Sequence, residues 1–285
     1  MIILNPHRID GVKITLDRKI FAGGEVNANI SPLIDRINAN VGPYADGTPY
    51  KCPLGLITIQ ALLYSSDDIM ELLMVTDALR EYDPKVMLTV EIPYFPYARQ
   101  DRVCNPGEAL AAKVMAKLIN AQNYNNVILW DAHSDVSTAL LDRCKNLTAE
   151  NFIGEIVTPN TILVAPDAGA IKRVQACAKK YQLDMIRADK LRDPKTQEIK
   201  ETIVYSEHVG DKDFLIVDDI CDGGRTFIEL AKKLRPLTNG KISLYITHGI
   251  FSYGVGVFDG IIDQVYVKNI WPNVPRGPVI FPVEV

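Results

Sequence analysis

The stretch Phe214-Leu-Ile-Val-Asp-Asp-Ile-Cys-Asp-Gly-Gly-Arg-Thr226 holds the densest set of groups able to do chemistry. Asp218 and Asp219 end an apolar run, Asp222 follows, and Gly223 and Gly224 lead through Arg225 to the Thr226 hydroxyl. Carboxylates at the carboxyl end of a strand stand where open α/β sheets bind ligands, and they accept hydrogen bonds from vicinal sugar hydroxyls. The glycine turn lets backbone approach an anion, which the first N–H groups of a helix opening near Thr226 would hold. Two readings are open from these residues alone: a cradle for ribose and phosphate, or an ordinary strand-to-helix loop with exposed acids.

Four further clusters follow apolar runs. Pro93-Tyr-Phe-Pro-Tyr-Ala-Arg-Gln-Asp-Arg102 suits a purine nucleotide, one guanidinium stacking on the base while another pairs with phosphates; an aromatic surface turn is the plainer reading. In Trp130-Asp-Ala-His-Ser134, Asp131 and His133 flank a small residue and can share a face, so with an ATP phosphate they could hold magnesium. Magnesium prefers oxygen, and a strand-end histidine more often serves hydrogen bonding. Asp167, before Gly169, reads as a ligand for a metal or sugar hydroxyl, as the N-cap of the next helix, or as both. Ala188 to Lys195 reads as a cationic loop, polar through Lys200. Such a loop either closes over a triphosphate or is simply solvated.

These clusters need strands and helices to position them, and the pattern supplies both. Strands are expected at the N-terminus, at 54–63 and at 85–92, with a helix over 67–80 capped by the Ser65 to Asp68 cluster. A helix over 108–121 and a strand at 126–130 follow. The alternation then repeats: strand 161–164, helix 169–180, strands 185–188 and 214–217, helix 226–234, strand 242–247. Strands alternating with helices imply mostly parallel sheets flanked by helices. Two such runs imply two related α/β domains, 1–147 and 148–285, packed tightly with a site between them.

Composition narrows the class. With 285 residues, 47% hydrophobic and 23% charged, the chain can bury a sizeable core. A net charge of −4 argues against a nucleic-acid binder held by phosphate contacts. Cys52, Cys104, Cys144, Cys177 and Cys221 are odd in number and form no C-x-x-C pair, so reduced thiols in a cytoplasm are expected, not a disulfide frame or zinc site. The apolar start at Met1 to Leu4 is interrupted at once by polar residues, which fits neither a signal peptide nor a membrane span.

The order of these motifs resembles that of the phosphoribosyl pyrophosphate synthetases (ribose-phosphate pyrophosphokinases) over nearly the whole chain. Matching segments run from Phe21-Ala-Gly-Gly-Glu25 to Thr247-His-Gly-Ile-Phe-Ser252 and Lys268-Asn-Ile-Trp-Pro272. The resemblance implies two type I phosphoribosyltransferase domains. It also implies ATP with magnesium and transfer of the β,γ-diphosphoryl group to the 1-hydroxyl of ribose 5-phosphate, releasing AMP. It places ATP at Arg99, Gln100, Asp101 and Arg102, magnesium at His133 and Asp167, and the transferring group at Lys190 and Arg192. Asp218, Asp219, Asp222, Gly223, Gly224, Arg225 and Thr226 fall to the ribose and its phosphate. A homo-oligomer, dimer or hexamer, is expected as well.

The phosphate turn departs from the family's Asp-Thr-Gly-Gly-Thr or Asp-Thr-Ala-Gly-Thr. Here Asp222-Gly-Gly-Arg-Thr226 lacks the first threonine and puts a cation where a glycine is usual, and Ala170 likewise replaces a glycine. Either Arg225 points outward, or Gly223 opens the pocket and the guanidinium suits more than one phosphate. The second reading admits a larger 5-substituted ribose such as ADP-ribose as acceptor. Two further functions stay open, a phosphoribosyltransferase and a silent synthetase-associated subunit. The Tyr97 to Arg102 segment speaks against the first, and the presence of Lys190 and Arg192 against the second.

Overall fold

The computed structural model describes residues 1–7, 11–41, 52–192, 199–275 and 280–283. The chain divides into two compact units, Met1–Asn146 and Leu147–Val285.

Unit 1 contains β1 (Ile2–Pro6), β2 (Ile14–Thr15), β3 (Lys19–Ile20), β4 (Val26–Asn27), α1 (Ser31–Val41), β5 (Leu56–Ala61) and α2 (Ser66–Tyr82). It continues with β6 (Met87–Ile92), α3 (Ala111–Ala121), β7 (Asn126–Trp130), α4 (Asp135–Leu140) and β8 (Cys144–Leu147), the last ending at the unit boundary. Its main sheet has the order β2-β1-β5-β6-β7-β8, with β5, β6 and β7 parallel and β1 antiparallel to β5. Alternate residues of β5 are buried, and Ile57, Ile59 and Ala61 join Leu72, Val75 and Leu79 of α2 in the core. A capping box opens α2: the Asp68 N–H donates to Ser65 Oγ (3.3 Å), and Ser65 N–H donates to the Asp68 carboxylate (2.7 Å).

Unit 2 contains β9 (Thr161–Ala165), α5 (Ile171–Tyr181), β10 (Met185–Arg192), β11 (Ile199–Val204), β12 (Asp213–Cys221), α6 (Arg225–Leu234), β13 (Ile242–Gly249), β14 (Gln264–Ile270) and β15 (Ile280–Pro282). The sheet order is β11-β10-β9-β12-β13-β14-β15, parallel throughout except for β11 against β10. Every residue of β9 and β13 is buried, as expected for central strands covered on both faces. One face packs Ile162, Val164, Ile216 and Leu244 against Phe227, Leu230 and Leu234 of α6. The chain leaves β9 toward β10 on one side and leaves β12 toward β13 on the other. The carboxyl ends of β9 and β12 therefore flank the point where the winding reverses, which is where open α/β sheets hold ligands.

Several expected boundaries shift. The helix expected from residue 108 begins at Ala111, because Glu108 accepts hydrogen bonds from the N–H groups of Cys104 and Asn105 (both 3.0 Å) and closes a turn instead. The helix expected from residue 169 begins at Ile171, after a short 3₁₀ turn over Ala168–Ala170. The strand expected over 185–188 runs on to Arg192 and pairs with Ile199–Val204, so Lys190 and Arg192 occupy a strand, not a loop. The β-branched pair Ile203 and Val204 favours that partner strand. Lastly, β12 continues through Asp218 and Asp219 to Cys221, since its ladder with β13 persists to the pair Cys221 and Gly249.

Candidate active site

In unit 2, Asp167, Arg173, Asp218 and Asp219 gather at the switch point. Asp167 accepts hydrogen bonds from the N–H groups of Gly169 (3.0 Å) and Ala170 (3.2 Å), so it caps the 3₁₀ turn that leads into α5. One turn later, Arg173 reaches both strand carboxylates, with Nη1 3.2 Å from Asp218 Oδ1 and Nη2 3.5 Å from Asp219 Oδ1. The Asp219 N–H donates to the same Asp218 oxygen (3.0 Å). Burial, and then the adjacent Asp219 carboxylate, push the Asp218 carboxyl well above its ordinary range, while Arg173 pulls it back. Burial, with the charges of Asp218 and Asp222, also pushes the Cys221 thiol up, so this cysteine stays protonated beside the acids.

The turn after β12 is clasped by the segment after β13. The Ser252 hydroxyl donates to Asp222 Oδ1, and the N–H groups of Ile250 and Phe251 donate to Cys221 O (2.8 and 3.2 Å). Gly224 adopts φ +77° and lies where a Cβ would come within 2.8 Å of the Phe258 ring, so both backbone and space require glycine. It is the N-cap of α6, which starts at Arg225 without a side-chain cap. The expectation that Thr226 opens the helix is thereby corrected: the left-handed glycine makes the corner one residue earlier, and Thr226 lies inside the first turn. Arg225 is exposed. The space left by the missing threonine at 223 is narrowed by Tyr253, whose ring edge would lie 3.0 Å from a Cβ there.

In unit 1, the carboxyl ends of β6 and β7 bring 93–102 beside 131–134, and Trp130 N–H donates to Pro93 O (3.3 Å). Arg99 and Gln100 are exposed on a turn whose corner is Tyr97, in the left-handed region at φ 63°. Arg102 Nε donates to Asp101 Oδ1 (2.9 Å); the guanidinium is largely exposed and the carboxylate is not. That contact holds the Asp101 carboxyl below its ordinary range against the effect of burial, and neighbouring His133 adds to it. His133 is exposed, whereas Asp131 is buried at φ 43° and turns the chain off β7. The result is a cationic rim with one screened carboxylate, suited to a polyphosphate.

The side chains of Lys190 and Arg192 lie outside the described residues, as do residues 193–198. Their backbones pair with Thr202 and Ile199, with a bulge between Leu191 and Arg192. The hairpin's base is marked by Arg187, whose guanidinium lies 5.0 Å from the Tyr205 ring centre. His133 belongs to unit 1 and Asp167 to unit 2. Among the described residues, no three His, Cys, Asp or Glu side chains gather closely enough to share an ion.

Arg173, Ser252 and Tyr253 carry weight that sequence reasoning did not assign. Arg173 falls in an expected helix start, and Ser252 closes a segment that matches the family, yet neither has a partner visible in the sequence. Tyr253 has no motif to signal it.

Residues 56–122 match the model of the N-terminal domain of ribose phosphate pyrophosphokinase, and residues 137–246 match the phosphoribosyl transferase domain. A ribose-phosphate pyrophosphokinase of Campylobacter jejuni is 32% identical over 227 residues, spanning 76% of this chain and 71% of that protein. One from Mycoplasma genitalium is 28% identical over 92% of this chain and 86% of its own. The crystal structure of phosphoribosylpyrophosphate synthetase from Mycobacterium smegmatis shares the fold over 94% of this chain and 85% of its own, with a TM-score of 0.70 at 20% identity.

Proposed function

The chain belongs to the ribose-phosphate pyrophosphokinase family, and on that premise we propose the part each residue takes in the reaction. The β,γ-diphosphoryl group of ATP passes to the anomeric 1-hydroxyl of ribose 5-phosphate, giving phosphoribosyl pyrophosphate and AMP. The sugar hydroxyl oxygen bonds to the β-phosphorus and gives up its proton to solvent, the bond from that phosphorus to the α,β-bridging oxygen breaks, and AMP leaves with that oxygen. Such a displacement needs positioning and charge neutralisation more than a covalent partner.

The observation that carries the assignment of the acceptor site is the Asp218, Asp219 and Arg173 group at the switch point. Asp218, Asp219 and Asp222 accept hydrogen bonds from the ribose hydroxyls, and the Gly223 to Thr226 turn receives the 5-phosphate on its backbone N–H groups. Arg99, Gln100, Asp101 and Arg102 hold ATP, and Lys190 and Arg192 neutralise charge on the transferring group. His133 in unit 1 and Asp167 in unit 2 each offer a donor to magnesium that arrives with the nucleotide, because such an ion takes most of its oxygens from phosphates and water and needs one or two protein donors. When bound, it screens the diphosphoryl oxygens.

Self-association belongs to the same proposal. Met70, Tyr97, Val114 and Leu118 leave an exposed apolar face around a groove of about 340 Å³ in unit 1, which a second copy would cover; light scattering of the purified protein checks it. The five free thiols support placement in a cytoplasm; among the described residues no helix is long and apolar enough to cross a membrane.

The relatives are named for the ribose-phosphate reaction, and they do not favour ADP-ribose as acceptor, a phosphoribosyltransferase or a silent subunit. The deciding experiment supplies ATP and magnesium with ribose 5-phosphate or ADP-ribose and measures AMP. Release is expected with ribose 5-phosphate. Release with ADP-ribose alone would overturn the acceptor, and release with neither would overturn the reaction. Lys190→Ala should lower turnover by about 10²–10³-fold while ATP still binds; undiminished turnover removes Lys190 from its role.

A further inference from the structure

Gly223 does not owe its identity to the backbone. Its φ lies outside the left-handed region, so any residue could adopt its conformation, unlike Gly224 at +77°. What crowds a side chain there is Tyr253: an ideal Cβ on Gly223 would stand 3.0 Å from Cε2 and 3.1 Å from Cδ2 of that ring, which would have to give by a few tenths of an ångström. The side-chain volume absent from the turn is thus supplied from thirty residues away, by the segment after β13 that also sends Ser252 to Asp222. Tyr253 is nonetheless 79% exposed. The ring edge faces Gly223 and most of the side chain is in solvent, next to the turn that leads into α6. A tyrosine offers a phosphate an O–H donor and a positive ring edge at small conformational cost.

We infer that Tyr253 is a specificity-determining residue for the acceptor, walling the phosphate turn in place of a side chain at position 223 and contacting the 5-phosphate end of bound ribose 5-phosphate. This rests on the reading of the Gly223 to Thr226 turn as the acceptor's phosphate site. Gly223 and Tyr253 then act as a matched pair, and a side chain restored at 223 must shift the ring by a few tenths of an ångström.

Steady-state kinetics and calorimetric binding of ribose 5-phosphate to the full chain test this with Tyr253→Ala, Tyr253→Phe, Gly223→Thr and the double variant Gly223→Thr/Tyr253→Ala. Tyr253→Ala should raise the KM and Kd for ribose 5-phosphate about five- to tenfold, with the KM for ATP changing less than about twofold. Gly223→Thr should weaken acceptor binding similarly, and the double variant should bind better than the product of the single effects requires. Tyr253→Phe should fall between wild type and Tyr253→Ala. Melting temperatures should hold, since the ring is mostly solvated. Unchanged acceptor binding in Tyr253→Ala, or strictly additive effects in the double variant, overturns the inference. Wild-type protein that releases no AMP overturns the reaction alone, because ribose 5-phosphate binding still compares wild type with Tyr253→Ala. Wild-type protein that does not bind ribose 5-phosphate overturns both.

Discussion

In unit 1, Arg18 sits between the buried carboxylates of Asp68 and Glu71; in unit 2, Arg173 sits between Asp218 and Asp219. The ingredients match, and the electrostatic outcomes are opposite. Asp68 Oδ2 accepts from the N–H groups of Tyr64 (2.9 Å) and Ser65 (2.7 Å) and from Ser65 Oγ (2.8 Å), while Oδ1 takes the Met1 amine (3.0 Å) and Arg18. Burial alone would raise its pKa, yet these partners hold it at about 2. Asp218 meets one guanidinium and one backbone N–H, and burial beside Asp219 pushes it up. A carboxylate with its oxygens satisfied fastens a fold. One held in a buried, like-charged pair keeps capacity for a ligand's hydroxyls.

The largest effect that would break this contrast lies in unit 2. Asp218→Asn and Asp219→Asn should each lower AMP formation by about 10²–10³-fold, with no loss of melting temperature. A stability loss with turnover intact would make the pair structural, like its counterpart. Next come the arginines. Arg18→Met strips the counter-charge from two buried carboxylates and should cost about 3 kcal/mol in denaturant unfolding while turnover per folded molecule stays near wild type. Arg173→Met should instead reduce turnover and weaken ribose 5-phosphate binding. If both variants lose only stability, the contrast fails.

The smallest effect is a pH dependence. The Asp68 pKa is depressed in the folded state, so its stabilisation is present above the unfolded value near 4 and disappears as pH falls through about 2. That amounts to roughly 2 kcal/mol, which Asp68→Asn should remove from the acid limb of the stability curve. Equal acid sensitivity in Asp68→Asn and wild type would show that other groups set it.

The alternation of strands and helices was legible because periodicity and turn chemistry are local. The Ser65 cap, the buried run of β9 and the acids of β12 needed only their neighbours in sequence. The hairpin pairing β10 with β11 was not legible: Lys190 and Arg192 read as a loop when taken with the charged residues that follow, and only the partner strand shows otherwise. At the turn 222–226 the sequence left two readings open, an outward Arg225 or a pocket opened by Gly223. The exposed Arg225 and the Tyr253 ring edge beside Gly223 are tertiary facts that the local spacing does not encode.

From sequence alone came the two α/β units, the acids and glycines at strand ends, and a family resemblance that set the reaction. Tertiary structure decided which of those residues meet. Placing β9 between β10 and β12 brings Arg173 to acids forty-five residues away, and the neighbouring β13 delivers Ser252 and Tyr253 to the turn after β12. Such contacts follow from strand order and the packing of one loop on another, which no local spacing encodes.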